Sequence, residues 1–247
     1  SISYFLINVL SSKIISNSYA VRTEFSHYID SKKIITVYQS VTIPENVPAS
    51  LQKNKKNITQ CVIIGRVTEG KGQLDTILAV RELKKQNIPI DLWIVGSYEE
   101  KSSYKRDLNK IISEEQLNDN VHFFNYLDNT IIDFISGADI VLVCSKSEAF
   151  GRATVEAMLT AKPVVATKSA GTLEIIKDGL NGFLYAPGNI TELAAKITYI
   201  IENPELAKQI ALYGQKFAES TFVKKKYGDE IVNVINELLN KHKLKAL

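Results

Sequence analysis

The stretch Ser145-Lys-Ser-Glu-Ala-Phe-Gly-Arg-Ala-Thr-Val-Glu156 lies between two short apolar runs. Ile140-Val-Leu-Val-Cys144 precedes it, and Val164-Val-Ala-Thr167 follows the intervening Ala157-Met-Leu-Thr-Ala-Lys-Pro163. The first run reads as a strand buried on both faces of a parallel sheet. The order is therefore strand, polar glycine-containing loop, helix, strand. In a parallel sheet, ligands bind where the chain leaves a strand's carboxyl end and enters a helix. This loop carries Glu148, and Gly151 lets its backbone come close to a ligand. Glu156 is expected about two turns along the following helix. Two carboxylates spaced in this way can hold two hydroxyl-bearing parts of one ligand. The same pair also fits a loop glutamate and a partly exposed helix glutamate with no ligand at all.

Upstream, Cys61-Val-Ile-Ile64 reads as another buried strand, followed by Gly65-Arg-Val-Thr-Glu-Gly-Lys-Gly72 and a helix over 73–86. Leu74, Ile77, Leu78 and Leu83 recur at roughly the helical period. A glycine-rich loop between strand and helix that carries Arg66 and Lys71 suits a diphosphate. Backbone N–H groups, the helix dipole and two cations can converge on one anion there. The same loop also fits a surface turn with solvated cations. It is not a Walker A loop, whose spacing does not fit Gly65–Gly72.

Further strands are expected at Ile90–Val95, Val121–Phe124 and Gly182–Tyr185, and helices over 102–115, 129–136, 190–202 and 204–219. Lys168-Ser-Ala-Gly171 is a second small-residue loop, in which Gly171 permits close approach to a ligand. It leads into a short helix whose first turn carries Glu174, where a carboxylate suits the dipole. Before the main sheet, residues 2–11 read as a helix or buried segment. Lys13–Ser16 and Ile34–Tyr38 read as strands, with a helix over 19–30 between them that Ser18 caps. This piece is too small to bury its own faces. Residues 45–60, polar and with Pro48 inside, read as a linker. The last stretch, Tyr227 to His242, reads as one amphipathic helix.

Several of these blocks occur together in one known family. Ser147-Glu148-x-Phe150-Gly151-x4-Glu156-Ala157-Met158, Lys162-Pro163-Val164-Val165-Ala166, Gly171-x2-Glu174 and Asp178-Gly179-x-Asn181-Gly182 resemble the donor-binding half of the retaining GT-B glycosyltransferases of family 4. The Gly65–Gly72 loop resembles that family's Gly-Arg-Leu-x3-Lys-Gly loop, with Val67 for Leu. Two departures stand out: Asn125 replaces a usual Gly, and Gln39-Ser-Val-Thr42 replaces a usual Asn-Gly-(Val or Ile)-Asp.

The resemblance implies an α/β fold, a Rossmann-like parallel sheet with helices on both faces, forming one half of a GT-B enzyme. Residues 1–44 would be a remnant of the N-terminal acceptor domain and 45–60 the linker. Residues 61–222 would be the nucleotide-sugar donor domain and 223–247 the C-terminal crossover helix. Glu148, Arg66 and Lys71 would act in catalysis. Glu148 would bind a hydroxyl of the transferred sugar, and Arg66 and Lys71 the leaving diphosphate. Glu156 would bind the ribose. Gly65, Phe150, Gly151 and Gly171 would line the donor site through their backbones, with Asn125 and Tyr126 beside the base. The partners implied are a nucleotide-sugar donor and a glycan or lipid-linked acceptor. The setting implied is cytoplasmic, at the inner membrane face, with peripheral membrane contact. No cofactor or metal is expected, and the sequence has no Asp-x-Asp motif. A homodimer or a partner acceptor subunit would cover the apolar surface of the remnant. A non-catalytic nucleotide-sugar module, or a donor subunit that needs a partner, remains the alternative.

Composition agrees with a globular domain and excludes other classes. The chain has 247 residues, 45% hydrophobic and 23% charged, enough for a substantial core. A net charge of +3, from 30 basic and 27 acidic residues, is too small to argue for nucleic acid. Cys61 and Cys144 lie in apolar runs and read as small buried hydrophobes in a reducing setting. His27, His122 and His242 are scattered without metal-ligand spacing.

Overall fold

A computed structural model of the chain describes residues 2–42, 57–100, 102–125, 131–222 and 224–243. Most of the expected linker, Tyr126, the start of the helix expected at 129 and the last four residues lie outside them.

Six parallel strands form the main sheet: β3 (Thr59–Ile64), β4 (Ile90–Val95), β5 (Val121–Phe124), β6 (Ile140–Val143), β7 (Val164–Thr167) and β8 (Phe183–Tyr185). Their order is β5-β4-β3-β6-β7-β8. This is the doubly wound order, in which the strand sequence reverses between β3 and β6 and a crevice opens at their carboxyl ends. The expected α/β class with helices on both faces is what the chain adopts. β3 starts at Thr59, two residues inside the expected linker, because Thr59 and Gln60 already pair with Ile90 and Asp91.

The strands read as unbroken apolar runs because alternate residues serve two cores. Cys61, Ile63, Leu92, Ile94, Ile140 and Leu142 face one side. There they meet α3 (Gln73–Lys85), α4 (Ser103–Glu114) and α8 (Ile190–Glu202) through residues such as Ile77, Leu108 and Ile197. Val62, Trp93, Val95, Val141 and Val143 face the other side. There they meet α5 (Ile131–Gly137), α6 (Arg152–Leu159) and the end of α9 (Pro204–Thr221) through Ile135, Val155, Met158 and Ala218. Local chemistry sets several helix starts. Asn189 accepts the N–H of Glu192 ahead of α8, and Pro204 occupies the first turn of α9, where its missing N–H has no partner to lose. Cys61 and Cys144 are buried free thiols. Burial raises both above the ordinary thiol range, Cys144 to about 12, so they pack as un-ionised hydrophobes.

The N-terminal piece is α1 (Ile2–Leu10), β1 (Ile14–Ser16), α2 (Tyr19–Phe25) and β2 (Ile34–Thr36), with β1 and β2 parallel. Ser18 caps α2 as its sequence position suggests, accepting the N–H of Val21. The helix stops at Phe25 rather than 30, and the following turn inserts Ile29 into the core. The piece rests on the main domain through Val41, whose N–H donates to the Phe222 carbonyl, and through Tyr38. It leaves Phe5 and Leu10 of α1 67% and 78% exposed. The last helix, α10 (Lys224–Lys243), buries Val234 but exposes Val232, Ile235 and Leu239.

Candidate active site

The loops after β3 and β6 leave the sheet side by side at the reversal point; two features lock them together and a third braces the first loop against α3. The N–H of Lys146 donates to the Gly70 carbonyl at 2.9 Å. Gly72 has a left-handed backbone (φ +77°), and a Cβ there would fall 2.0 Å from the Cys144 carbonyl oxygen. Only glycine allows the first loop to lie this close to the end of β6. Gln73, at the start of α3, donates through its side-chain amide to the Arg66 carbonyl at 2.9 Å.

This arrangement brings Lys71 onto Glu148. Lys71 Nζ donates to Glu148 Oε1 at 2.6 Å, and the Ser145 hydroxyl donates to the same oxygen at 2.6 Å. Both side chains remain partly open to solvent. Gly65 flanks the Lys71 stem, and Arg66 is exposed on the same loop.

Glu156 differs from the expectation in its place on the helix. α6 begins only at Arg152, so Glu156 stands just over one turn along it, not two. It is buried, at 8% exposure, which does not fit the partly exposed helix glutamate of the ligand-free alternative. Arg152 Nε donates to Glu156 Oε1 at 2.8 Å, the i,i+4 spacing that brings side chains together on a helix. Gly151 precedes this helix with φ +99°. The Phe150 side chain is buried against Tyr38 and Phe222.

Gly171 approaches the Glu148 loop. Its N–H donates to the Glu148 carbonyl at 2.8 Å, and a Cβ would stand 2.6 Å from the Ala149 carbonyl oxygen. Thr167 donates its hydroxyl to the Ser145 carbonyl at 2.6 Å, a further tie between the loops after β6 and β7. Asn125 is exposed just past the edge strand β5, two strands from β3. Ser145 and Arg152 were not singled out from sequence. Arg152 was detectable from its spacing to Glu156, whereas the Ser145 contact depends on the loop's path.

Among the described residues, no group of three or more His, Cys, Asp or Glu side chains could hold a metal ion. No described helix is long and apolar enough to cross a membrane. A cavity of about 710 Å³ lies at the opposite end of the sheet, lined by Thr59, Ile140, Pro163 and Ala207. Strand amino ends are not where doubly wound sheets bind ligands, so the site is placed at the β3–β6 reversal.

The sequence pattern of the family described as glycosyl transferases group 1 fits residues 42–217, well over half the chain. The chain belongs to the group 1 glycosyltransferases. Among solved structures, this group 1 glycosyltransferase chain is similar to Anabaena HepE in complex with UDP-glucose, with a TM-score of 0.85 and 27% identity. That match covers 96% of this chain and 66% of HepE. The chain is 23% identical over 176 residues to the Staphylococcus aureus capsular polysaccharide biosynthesis glycosyltransferase CapM, covering 71% of this chain and 45% of CapM. It is 28% identical over 226 residues to the poly(ribitol-phosphate) alpha-N-acetylglucosaminyltransferase of S. aureus, covering 90% of this chain and 42% of that protein. The chain thus spans about half the length of these curated relatives. Its neighbours have the GT-B architecture, of which this Rossmann-like unit is one half.

Proposed function

We propose that this chain is the donor-binding half of a retaining, family 4 glycosyltransferase that moves a hexose from a nucleoside diphosphate to a glycan or lipid-linked acceptor. Its proposed setting is surface polysaccharide synthesis on the cytoplasmic face of the membrane. The observation that carries this reading is the meeting of Lys71 with Glu148 at the sheet's reversal point, 2.6 Å apart, between a cation-bearing loop and a carboxylate-bearing loop. HepE is described in complexes with UDP and with UDP-glucose, which supports the same ligand class here.

Cleavage of the bond between the anomeric carbon and the phosphate oxygen leaves its electron pair on the diphosphate, and positive charge grows on the sugar ring. Lys71 and Arg66 would stabilise the leaving diphosphate, together with the backbone N–H groups of Phe150 and Gly151 ahead of α6. Glu148 would hold a sugar hydroxyl and Glu156 the ribose hydroxyls. Gly65 and Gly171 would bring backbone close to the donor, with Asn125 and Tyr126 beside the base. No metal has a part in this scheme.

A second reading is a donor-binding unit that acts only with a partner acceptor chain or as a homodimer. The exposed apolar residues Phe5 and Leu10 of α1 and Leu239 of α10 favour it. Nuclear magnetic resonance of the sugar product tests the reaction class. Retained anomeric configuration and insensitivity to a chelator are expected, and an inverted product would rule out the retaining mechanism.

A further inference from the structure

One carboxylate joins the N-terminal piece to the Glu148 loop. Glu174 lies on α7 (Thr172–Ile175), the short helix that follows Gly171. Its Oε2 accepts the Tyr19 N–H at 2.8 Å and the Tyr38 hydroxyl at 2.8 Å, and its Oε1 accepts the Ala20 N–H at 2.6 Å. The first turn of a helix has N–H groups without intrahelical partners, and here two of them at the start of α2 are met from across the molecule. The carboxylate that sequence alone assigned to its own helix thus serves another one, more than 150 residues earlier. Burial, and next the Glu174 carboxylate, push the Tyr38 hydroxyl well above its ordinary value, so it stays protonated and donates.

On its other side α7 is bound to the sugar-side loop. Gly171, immediately before α7, donates to the Glu148 carbonyl and is in backbone contact with Ala149. The Tyr38 ring also lies 6.2 Å from the Phe150 ring, two residues beyond Glu148. A continuous path therefore runs from α2 and Tyr38 through Glu174 and Gly171 to Glu148. Glu156 sits on the next helix, α6, whose main partner is α9, with a smaller contact to α7 through Ile175.

We propose that Glu174, with Tyr38, is a positioning residue that sets where the Glu148 loop stands relative to the N-terminal piece. It thereby governs recognition of the sugar part of the donor and leaves the nucleotide part alone. This rests on the donor-site reading above. Charge-assisted hydrogen bonds to two backbone amides and a phenol are strong and directional, and they tie α7 to the N-terminal piece.

The test compares the intact chain with Glu174→Gln, Tyr38→Phe and the double variant by calorimetry. Each is titrated with UDP, GDP and ADP and with UDP-glucose, GDP-mannose and ADP-glucose, beside thermal melts. For whichever nucleotide binds the parent, its affinity should stay within about twofold in every variant. The extra affinity contributed by the sugar should fall fivefold or more in Glu174→Gln and less in Tyr38→Phe. The double variant should lose less than the sum. A merely structural role would weaken nucleotide and nucleotide sugar equally, or neither, and either result overturns the proposal. A parent that binds the nucleotide but gains nothing from the sugar also overturns it. A parent that binds no nucleotide sinks the donor-site reading itself. If Glu174→Gln does not fold, Tyr38→Phe, which removes a single hydroxyl, decides the question on the same comparison.

Discussion

Lys71 and Glu148 are 77 residues apart in the chain, yet their side chains meet at 2.6 Å, with Ser145 donating to the same carboxylate oxygen. The cation proposed for the diphosphate and the carboxylate proposed for the sugar thus hold each other. A donor molecule entering here would share or part this pair. Lys71→Ala should weaken nucleoside diphosphate binding tenfold or more, since a hydrogen bond to a charged group contributes about 1.5–3 kcal/mol. Calorimetry with the unlabelled nucleotide checks this, and an unchanged dissociation constant would remove Lys71 from the site.

The two glutamates should separate by ligand part. Glu156→Ala should weaken the nucleotide by about tenfold, on the same hydrogen-bond scale. Glu148→Ala should leave nucleotide affinity nearly intact and reduce the added affinity of the nucleotide sugar. Equal weakening of nucleotide binding by both substitutions would show that the roles are assigned wrongly.

Gly72 should be far less replaceable than Gly188, although both have left-handed backbones, at φ +77° and +75°. An added Cβ at Gly188 meets open space, so Gly188→Ala should cost only the backbone term of about 1–2 kcal/mol. At Gly72 the Cβ would meet the Cys144 carbonyl at 2.0 Å, so the two loops must move apart. Thermal melting of Gly72→Ala should show a drop at least twice that of Gly188→Ala, and equal drops would contradict the close approach.

Asp75, on the first turn of α3, should make stability depend on pH. Burial raises its carboxyl above the ordinary value, against the lowering effects of the Gly188 N–H, Lys146 and the Tyr185 hydroxyl. The folded chain then holds this proton more tightly than the unfolded chain. Stability from this group is therefore fully present below the ordinary carboxylate value, about 4, and is lost as pH rises through the raised folded value. Asp75→Asn removes that dependence. The melting temperature of the variant relative to the parent should rise between pH 4 and pH 7, and a difference independent of pH would contradict the raised value.

Much of this was legible in the sequence because parallel strands buried on both faces leave apolar runs that need no partner to be seen. Ile140–Val143 and Ile90–Val95 are such runs, and the glycines and charged residues between them mark the ligand end. The neighbourhood of Lys71 and Glu148 followed from the same logic, since each lies on a loop leaving a strand's carboxyl end. The burial of Glu156 was not legible. It depends on where α6 begins, and a glycine at position 151 fits either side of that boundary. The bond between Tyr38 and Glu174 spans 136 residues and obeys no local period, so only the packed chain reveals it. β1 and β2 are one and two residues shorter than their apolar runs suggest, because such a run does not show where ladder pairing stops.

Whether the β3–β6 crevice holds a nucleotide sugar is decided by nucleoside diphosphate binding to the chain itself. Calorimetric titration with UDP, GDP and ADP should give saturable binding of at least one of them at millimolar concentration or below, weakened in Lys71→Ala and in Glu156→Ala. Absence of binding for all three at millimolar concentration, by a chain that melts cooperatively, would contradict the assignment of the β3–β6 crevice as a nucleotide-sugar site.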